Sequence, residues 1–263
     1  MTTIDRSLEF KQRMRNGEVL YGSWIDLVDP CACEIMSELG FDWFLIDTEH
    51  GPIDIGTLQN MLIAMRGSST VPIVRVPWND QVVIKRTLDV GAMGIVVPLV
   101  RTAQDVRDAV SYTKYPSAGV RGCSPRRASS YFLDIQNYLE KANDGIIVIV
   151  QIEHIEAVQN LDEILAVPGL DGIFVGPADL SNSMGYFNNP GAPEVQETIA
   201  EVIRKGNEAG VCVGVAVGGS IEQIGSWAAK GVQLLPVGGD RRFMMNAATQ
   251  ILDGVKGYVT EHS

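Results

Sequence analysis

Eight short runs rich in β-branched and aromatic residues recur along the chain, each separated from the next by a helical pattern, and this alternation leaves few folds open. The runs are Val19–Ile25, Trp43–Asp47, Val71–Val76, Gly94–Pro98, Ile146–Glu153, Gly172–Val175, Val213–Val217 and Gln233–Val237. Between them, Ile55–Arg66, Val82–Val90, Ala103–Tyr115, Ala157–Ala166 and Glu194–Ala209 place apolar residues at three and four spacing. Gly40, Gly67, Gly91, Gly210 and Gly231 each stand shortly before a strand, where a left-handed cap turns the chain back. Strands joined through helices pair in parallel, and eight are what a closed barrel needs, so the spacing predicts an α/β fold, a (β/α)8 TIM barrel. At 263 residues and 46% hydrophobic, with no low-complexity linker, the chain fits a single domain over 1–263. The one irregular stretch is Pro116–Gly145, with Gly119-Val120-Arg121-Gly122, Arg126-Arg127 and an aromatic cluster. Connections this long are usually functional or interfacial, and this one is expected over the active site.

Charge narrows the partners. Lys plus Arg is 21 against Asp plus Glu at 32, and the net −11 repels phosphate backbones, so nucleic acid is not expected as a partner and a small molecule is. Cys31, Cys33, Cys123 and Cys212 form no Cys-x-x-Cys pair, which argues against a zinc ribbon or a disulfide framework and for a reducing, cytoplasmic setting. The start Met1-Thr2-Thr3-Ile4-Asp5 lacks a basic-then-apolar leader, and no apolar run approaches the roughly 20 residues of a membrane span, so neither export nor a membrane is expected.

A barrel of this kind holds its site at the C-terminal ends of the strands, and that is where the chemistry-bearing residues fall. Asp47-Thr48-Glu49-His50 closes the second run, Arg75 the third, and Gln151 and Glu153 the fifth, while Asp179 follows the sixth. Glu153 and Asp179 come from adjacent strands and could bring two carboxylates to one point, a donor set that suits Mg²⁺ or Mn²⁺ with open positions for a substrate. Asp179 could equally be a helix N-cap. Arg75 would hold an oxyanion, or could serve as a structural bridge to Asp47 or Glu49. His50 is the candidate proton carrier, against a satisfied structural histidine; His154 and His262 read as solvated. No lysine lies at the C-terminal end of a strand, so a Schiff-base nucleophile is not expected. Gly218-Gly219-Ser220 and Gly238-Gly239-Asp240 stand where many barrels hold phosphate. Asp240 at the helix start, and no basic residue beside the first pair, rank that reading lower, and plain turn glycines above it. No Gly-x-Ser-x-Gly elbow supports a serine hydrolase.

In order, Asp47-Thr48-Glu49-His50-Gly51, Val74-Arg75-Val76-Pro77-Trp78-Asn79-Asp80, Leu88-Asp89-Val90-Gly91-Ala92, Gly119-Val120-Arg121-Gly122, Gln151-Ile152-Glu153 and Gly176-Pro177-Ala178-Asp179-Leu180 resemble the HpcH/HpaI aldolase family. These are metal-dependent pyruvate aldolases of the phosphoenolpyruvate/pyruvate barrel superfamily. The resemblance runs from about Gly22 to the last helix. It implies a lyase that reversibly cleaves a 4-hydroxy-2-oxo acid, such as 4-hydroxy-2-oxoheptanedioate or a 2-dehydro-3-deoxy sugar acid, to pyruvate and an aldehyde. It implies Glu153 and Asp179 as ligands of Mg²⁺, Mn²⁺ or Co²⁺, with Gln151, Arg75 and the amides of Ala178 and Asp179 around pyruvate. His50 is implied as the proton shuttle, ordered by Asp47 and partnered by Asp89, in its own or a neighbouring subunit. A homo-oligomer, a hexamer built as a trimer of dimers that exchange the C-terminal helix, is also implied. Two positions depart from the pattern: His154 stands where small hydroxylated residues are commoner, and Val215-Ala216-Val217-Gly218-Gly219 is smaller and more glycine-rich, where the aldehyde would lie. The alternatives are a related barrel lyase acting on a CoA thioester or phosphoenolpyruvate, and a barrel that binds a metabolite without turnover.

Overall fold

In the computed structural model, which describes residues 2–262, the eight strands close into one all-parallel barrel in sequence order. They are β1 (Leu20–Ile25), β2 (Trp43–Asp47), β3 (Val71–Arg75), β4 (Gly94–Val97), β5 (Ile147–Ile152), β6 (Gly172–Val175), β7 (Cys212–Val215) and β8 (Leu234–Gly239). The helices are α1 (Thr3–Arg15), α2 (Pro30–Ser37), α3 (Ile55–Ala64), α4 (Gln81–Asp89), α5 (Ala103–Thr113), α6 (Ile135–Gly145), α7 (Ile155–Gln159), α8 (Leu161–Leu165), α9 (Pro177–Ser183), α10 (Pro193–Glu208), α11 (Ile221–Ala229) and α12 (Asp240–Glu261). The expected barrel is therefore present; β2 and β6 have the bounds read from the sequence, and no strand end is displaced by more than two residues. All five glycines expected as left-handed caps have positive φ.

Strand sequences explain the two-sided burial. β2, β3, β4, β5, β6 and β7 are buried at every position, as parallel strands between a filled interior and a helical layer must be. Trp43, Leu45, Ile73, Val96, Ile149 and Phe174 fill the inside. At the N-terminal end of the strands that interior is closed by α1, whose Phe10 and Met14 pack into the same cluster. Ser7 Oγ donates to the carbonyls of Met93 and Gly145 there, and Lys11 Nζ lies 2.9 Å from Asp171 and donates to Ile146 O at 3.1 Å.

The long connection does not cover the site as expected. It runs along the outer side of α4: Gln81 Nε2 donates to Val120 O, Arg121 meets Asp89, and Arg127 donates to Val90 O and Leu62 O, the carbonyl-rich ends of α4 and α3. Cations are favoured at helix C-termini, so this segment clamps the barrel flank and leaves the strand mouths open. At the far end of the chain, every described residue of α12 from Met244 onward is exposed, including Met245, Ile251, Leu252, Val255, Tyr258 and Val259. No helix of the described residues is long and apolar enough to cross a membrane, and all four cysteines are free.

Candidate active site

Barrel register brings the site together. Asp47 and Arg75 are direct neighbours on β2 and β3, and Gln151 pairs with Phe174 across β5 and β6. Arg75 Nη2 donates to Asp47 Oδ2 at 2.6 Å and its Nε to Asp47 Oδ1 at 3.0 Å, a two-point grip. Burial opposes the charge on Asp47, but the guanidinium and the amides of Glu49 and His50 overcome it and hold the carboxyl below its usual range. Those two amides, donating to Asp47 Oδ1, also shape the turn after β2, which Gly51 alone permits because a Cβ there would run into Asp47 O.

The guanidinium is held tightly along one edge and only by a long bond at the other. Trp24 lies under it, with Cζ 4.8 Å from the ring centre. Glu49 Oε2 approaches Nε to 3.2 Å without hydrogen-bond alignment. Nη1 faces inward, 3.5 Å from Gln151 Oε1. Gln151 in turn donates from Nε2 to Glu153 Oε2 at 2.7 Å, and the Leu99 amide donates to Glu153 Oε1 at 2.7 Å. Leu99 holds that amide in place with φ of 54°, a strained conformation for a leucine and a mark of functional sites. Glu153 is 4% exposed. Burial pushes its carboxyl up to about 7, and the Glu49 and Asp179 carboxylates push the same way.

Asp179 stands at the third position of α9, whose N-cap is Gly176, so it is not the N-cap of that helix. Gly176 also makes room for Glu153: a Cβ there would lie 2.7 Å from Glu153 Oε2. Ala178 and Asp179 are exposed at the mouth beside the buried glutamate. Among the described residues no three His, Cys, Asp or Glu side chains converge as a closed ligand set. The donors are two carboxylates and open space, which fits a hard cation that keeps waters or substrate oxygens in its shell.

His50 is on the rim, its side chain 70% exposed, with Nε2 4.0 Å from Glu49 Oε1 and no closer acid. Asp89 is not brought to it: it ends α4 at the other end of the barrel, where Oδ1 is 2.7 Å from fully buried Arg121. His154 is the N-cap of α7, its Nδ1 accepting from the Glu156 amide at 3.2 Å. A small hydroxylated residue would do the same, so the departure at this position leaves the glutamate's surroundings intact. Trp24 and Leu99 were not assigned from sequence; the contacts of Arg75 with Asp47 and Glu49 are those weighed there as a structural bridge.

A cleft of about 730 Å³ opens at the opposite end between α1 and the ends of α3 and α4. Its Arg6 and Arg127 are engaged by the carbonyls of Ser68, Leu62 and Val90, its Arg13 is paired with Asp42 at 2.8 Å, and no histidine, lysine or cysteine lines it, so the chemistry belongs at the strand mouths.

Residues 20–247 match the profile of the family described as HpcH/HpaI aldolase/citrate lyase. The chain belongs to that family. It is 42% identical over 241 residues, 91% of both chains, to a 4-hydroxy-2-oxo-heptane-1,7-dioate aldolase of Shigella sonnei (strain Ss046). It is 39% identical over 236 residues to a 2-dehydro-3,6-dideoxy-6-sulfogluconate aldolase of Pseudomonas putida, covering 90% of this chain and 92% of that one. Among solved structures, an HpcH/HpaI aldolase/citrate lyase family protein from Burkholderia cenocepacia J2315 superposes with a TM-score of 0.90 at 35% identity, over 94% of this chain and 99% of that one.

Proposed function

We propose that this HpcH/HpaI family member is a carbon–carbon lyase, a class II aldolase that cleaves a 4-hydroxy-2-oxo acid to pyruvate and an aldehyde. The observation that carries the reading is the buried Glu153 carboxylate in the notch left by Gly176, beside Asp179 and within reach of Arg75. An acid so placed, with other acids near it, calls for a cation. Glu153 and Asp179 would hold a divalent ion, with Mg²⁺, Mn²⁺ and Co²⁺ all compatible with oxygen donors. Such an ion supplies Lewis acidity to the 2-oxo group of the bound acid.

The chain's own residues do the rest. Arg75, charged and fixed by Asp47 and Trp24, presents Nη1 to the oxygen that gains charge as the C3–C4 bond breaks. Gln151 and the amides of Ala178 and Asp179 orient the ketoacid. His50, directly or through a water that Asp47 helps order, takes the proton of the 4-hydroxyl; the aldehyde leaves, and the pyruvate enolate regains a proton at C3.

We also infer a homo-oligomer. α11 buries no residue, and Ile35 and Leu39 on the neighbouring flank are 64% and 65% exposed, so the flank where a last barrel helix would pack is open while α12 projects away from it. Exchange of α12 between two copies covers both apolar faces, and a trimer of such dimers is the assembly we expect. Asp89 then acts on His50 of a neighbouring copy.

The test is pyruvate release from 4-hydroxy-2-oxo-heptane-1,7-dioate, read through a lactate dehydrogenase couple. Chelator should abolish it, Mn²⁺ or Mg²⁺ restore it, and borohydride with pyruvate leave the enzyme active. Borohydride trapping on a lysine would overturn the reading.

A further inference from the structure

Two sequence features spoke against an anion site at the β7–β8 side of the mouth, and the structure removes both. The acid at the start of α12 is turned away: Asp240 is 5% exposed and accepts from the backbone amides of Asp26, Leu27 and Arg241. The missing cation is supplied from another element. Arg242 lays its guanidinium on the first glycine of the pair, and a Cβ on Gly218 would lie 2.7 Å from Nη1.

Arg242 is exposed and, among the described residues, makes no hydrogen bond or ion pair, unlike Arg241, whose Nη2 is 3.5 Å from Asp26. Its direction is fixed by its neighbour. Phe243 stacks on Phe41 with ring centres 6.4 Å apart and covers Gly238, which anchors the first turn of α12 on β8. Glu222, the acid that follows the glycine pair in sequence, accepts from Ser220 Oγ at 2.7 Å. In the barrel order β7 lies between β6, whose loop carries Asp179, and β8, which leads into Arg242. A substrate whose ketoacid end sits at Glu153 and Asp179 therefore has an unpaired guanidinium further round the same rim, beside Gly218-Gly219, which present no side chain to its approach.

We propose that Arg242, seated on Gly218, is a specificity-determining residue that binds an anionic group at the far end of the substrate, so that the preferred aldehyde carries a carboxylate, sulfonate or phosphate tail. This rests on the aldolase reading and names the substrate class for it. Guanidinium recognition of such oxyanions is geometrically favoured over recognition of neutral tails.

The experiment measures kcat/KM for condensation of pyruvate with 4-oxobutanoate, glyceraldehyde 3-phosphate, butanal and glyceraldehyde, using metal-loaded protein and its variants Arg242→Met and Gly218→Ala. The ratio of each charged aldehyde to its neutral counterpart should fall by about 10- to 100-fold in Arg242→Met, the worth of one hydrogen-bonded contact to a charged group. It should fall in the same direction in Gly218→Ala, where the methyl displaces the guanidinium. Whichever of the carboxylate and phosphate aldehydes shows the larger fall identifies the tail the subsite takes. Unchanged ratios in Arg242→Met would overturn the proposal, as would equal losses for charged and neutral aldehydes or a change of oligomeric state in place of a change of ratio. If the wild type condenses none of the four, the aldolase reading itself fails; if it condenses them and only the ratios stay fixed, the subsite alone fails.

Discussion

The two ends of the barrel both bury charge, and they balance it differently. At the N-terminal end of the strands Lys11 and Asp171 stand 2.9 Å apart with side chains 6% and 10% exposed, and their remaining capacity goes to Ile146 O and the Val148 amide. One cation meets one anion, and every partner is present. At the C-terminal end Asp47, Glu49 and Glu153 face a single well-placed cation, Arg75, and Glu49 Oε2 has no hydrogen-bond partner. Buried acids in excess of cations are costly in a folded chain unless something else completes them. The first end is neutral within itself, and the second carries an excess of negative charge that the proposed cation would offset.

Substitutions at each end should therefore separate stability from activity. The largest effect is expected for Glu153→Gln: aldolase turnover falls by about 10³-fold or more, beyond the loss of one transition-state donor. Its thermal midpoint should hold or rise, because a crowded buried acid is neutralised; a large fall in the midpoint would make Glu153 structural. Lys11→Met inverts the pattern. It leaves Asp171 buried and unpaired, and urea unfolding should show a loss of about 3–5 kcal/mol, while the folded fraction turns over at nearly the wild-type rate. A stable Lys11→Met protein with poor turnover would erase the distinction between the ends.

His50→Ala removes an exposed group and should cost about 10²-fold in kcat with an unchanged unfolding midpoint, at the lower end for a general base. Equal turnover in variant and wild type would remove His50 from the mechanism. The smallest effect is expected at His154, beside the glutamate but serving the helix. His154→Ala should cost about 1 kcal/mol for the lost cap and His154→Ser should restore it, with kcat little changed in both, as calorimetry and the pyruvate assay can check.

The barrel was legible because its signal is local: β2 through β7 are near-continuous apolar runs, and strand and helix periods alternate without a break. Arg75, Gln151 and Glu153 could be placed together from sequence because each stands at the C-terminal end of an apolar run, and those ends gather at one mouth of the barrel. What could not be read depends on contacts distant in sequence. α1 is an ordinary amphipathic helix until Phe10 and Met14 are seen entering the barrel floor. The Pro116–Gly145 connection looks like a lid by length, and only the bonds of Arg121 and Arg127 put it on the flank. Leu99 lends an amide through its backbone, which no side-chain pattern records, and Arg242 meets Gly218 from across the chain. Asp179 could be read as a cap until Gly176 took that position.

The measurement closest to the centre of this account is a titration of metal-free protein with Mn²⁺, followed by the loss of the free-ion paramagnetic resonance signal. A single saturable site per chain is expected in the wild type, abolished in the double variant Glu153→Gln, Asp179→Asn and retained in Lys11→Met. Absence of binding in the wild type, or binding that survives the double variant, would contradict it.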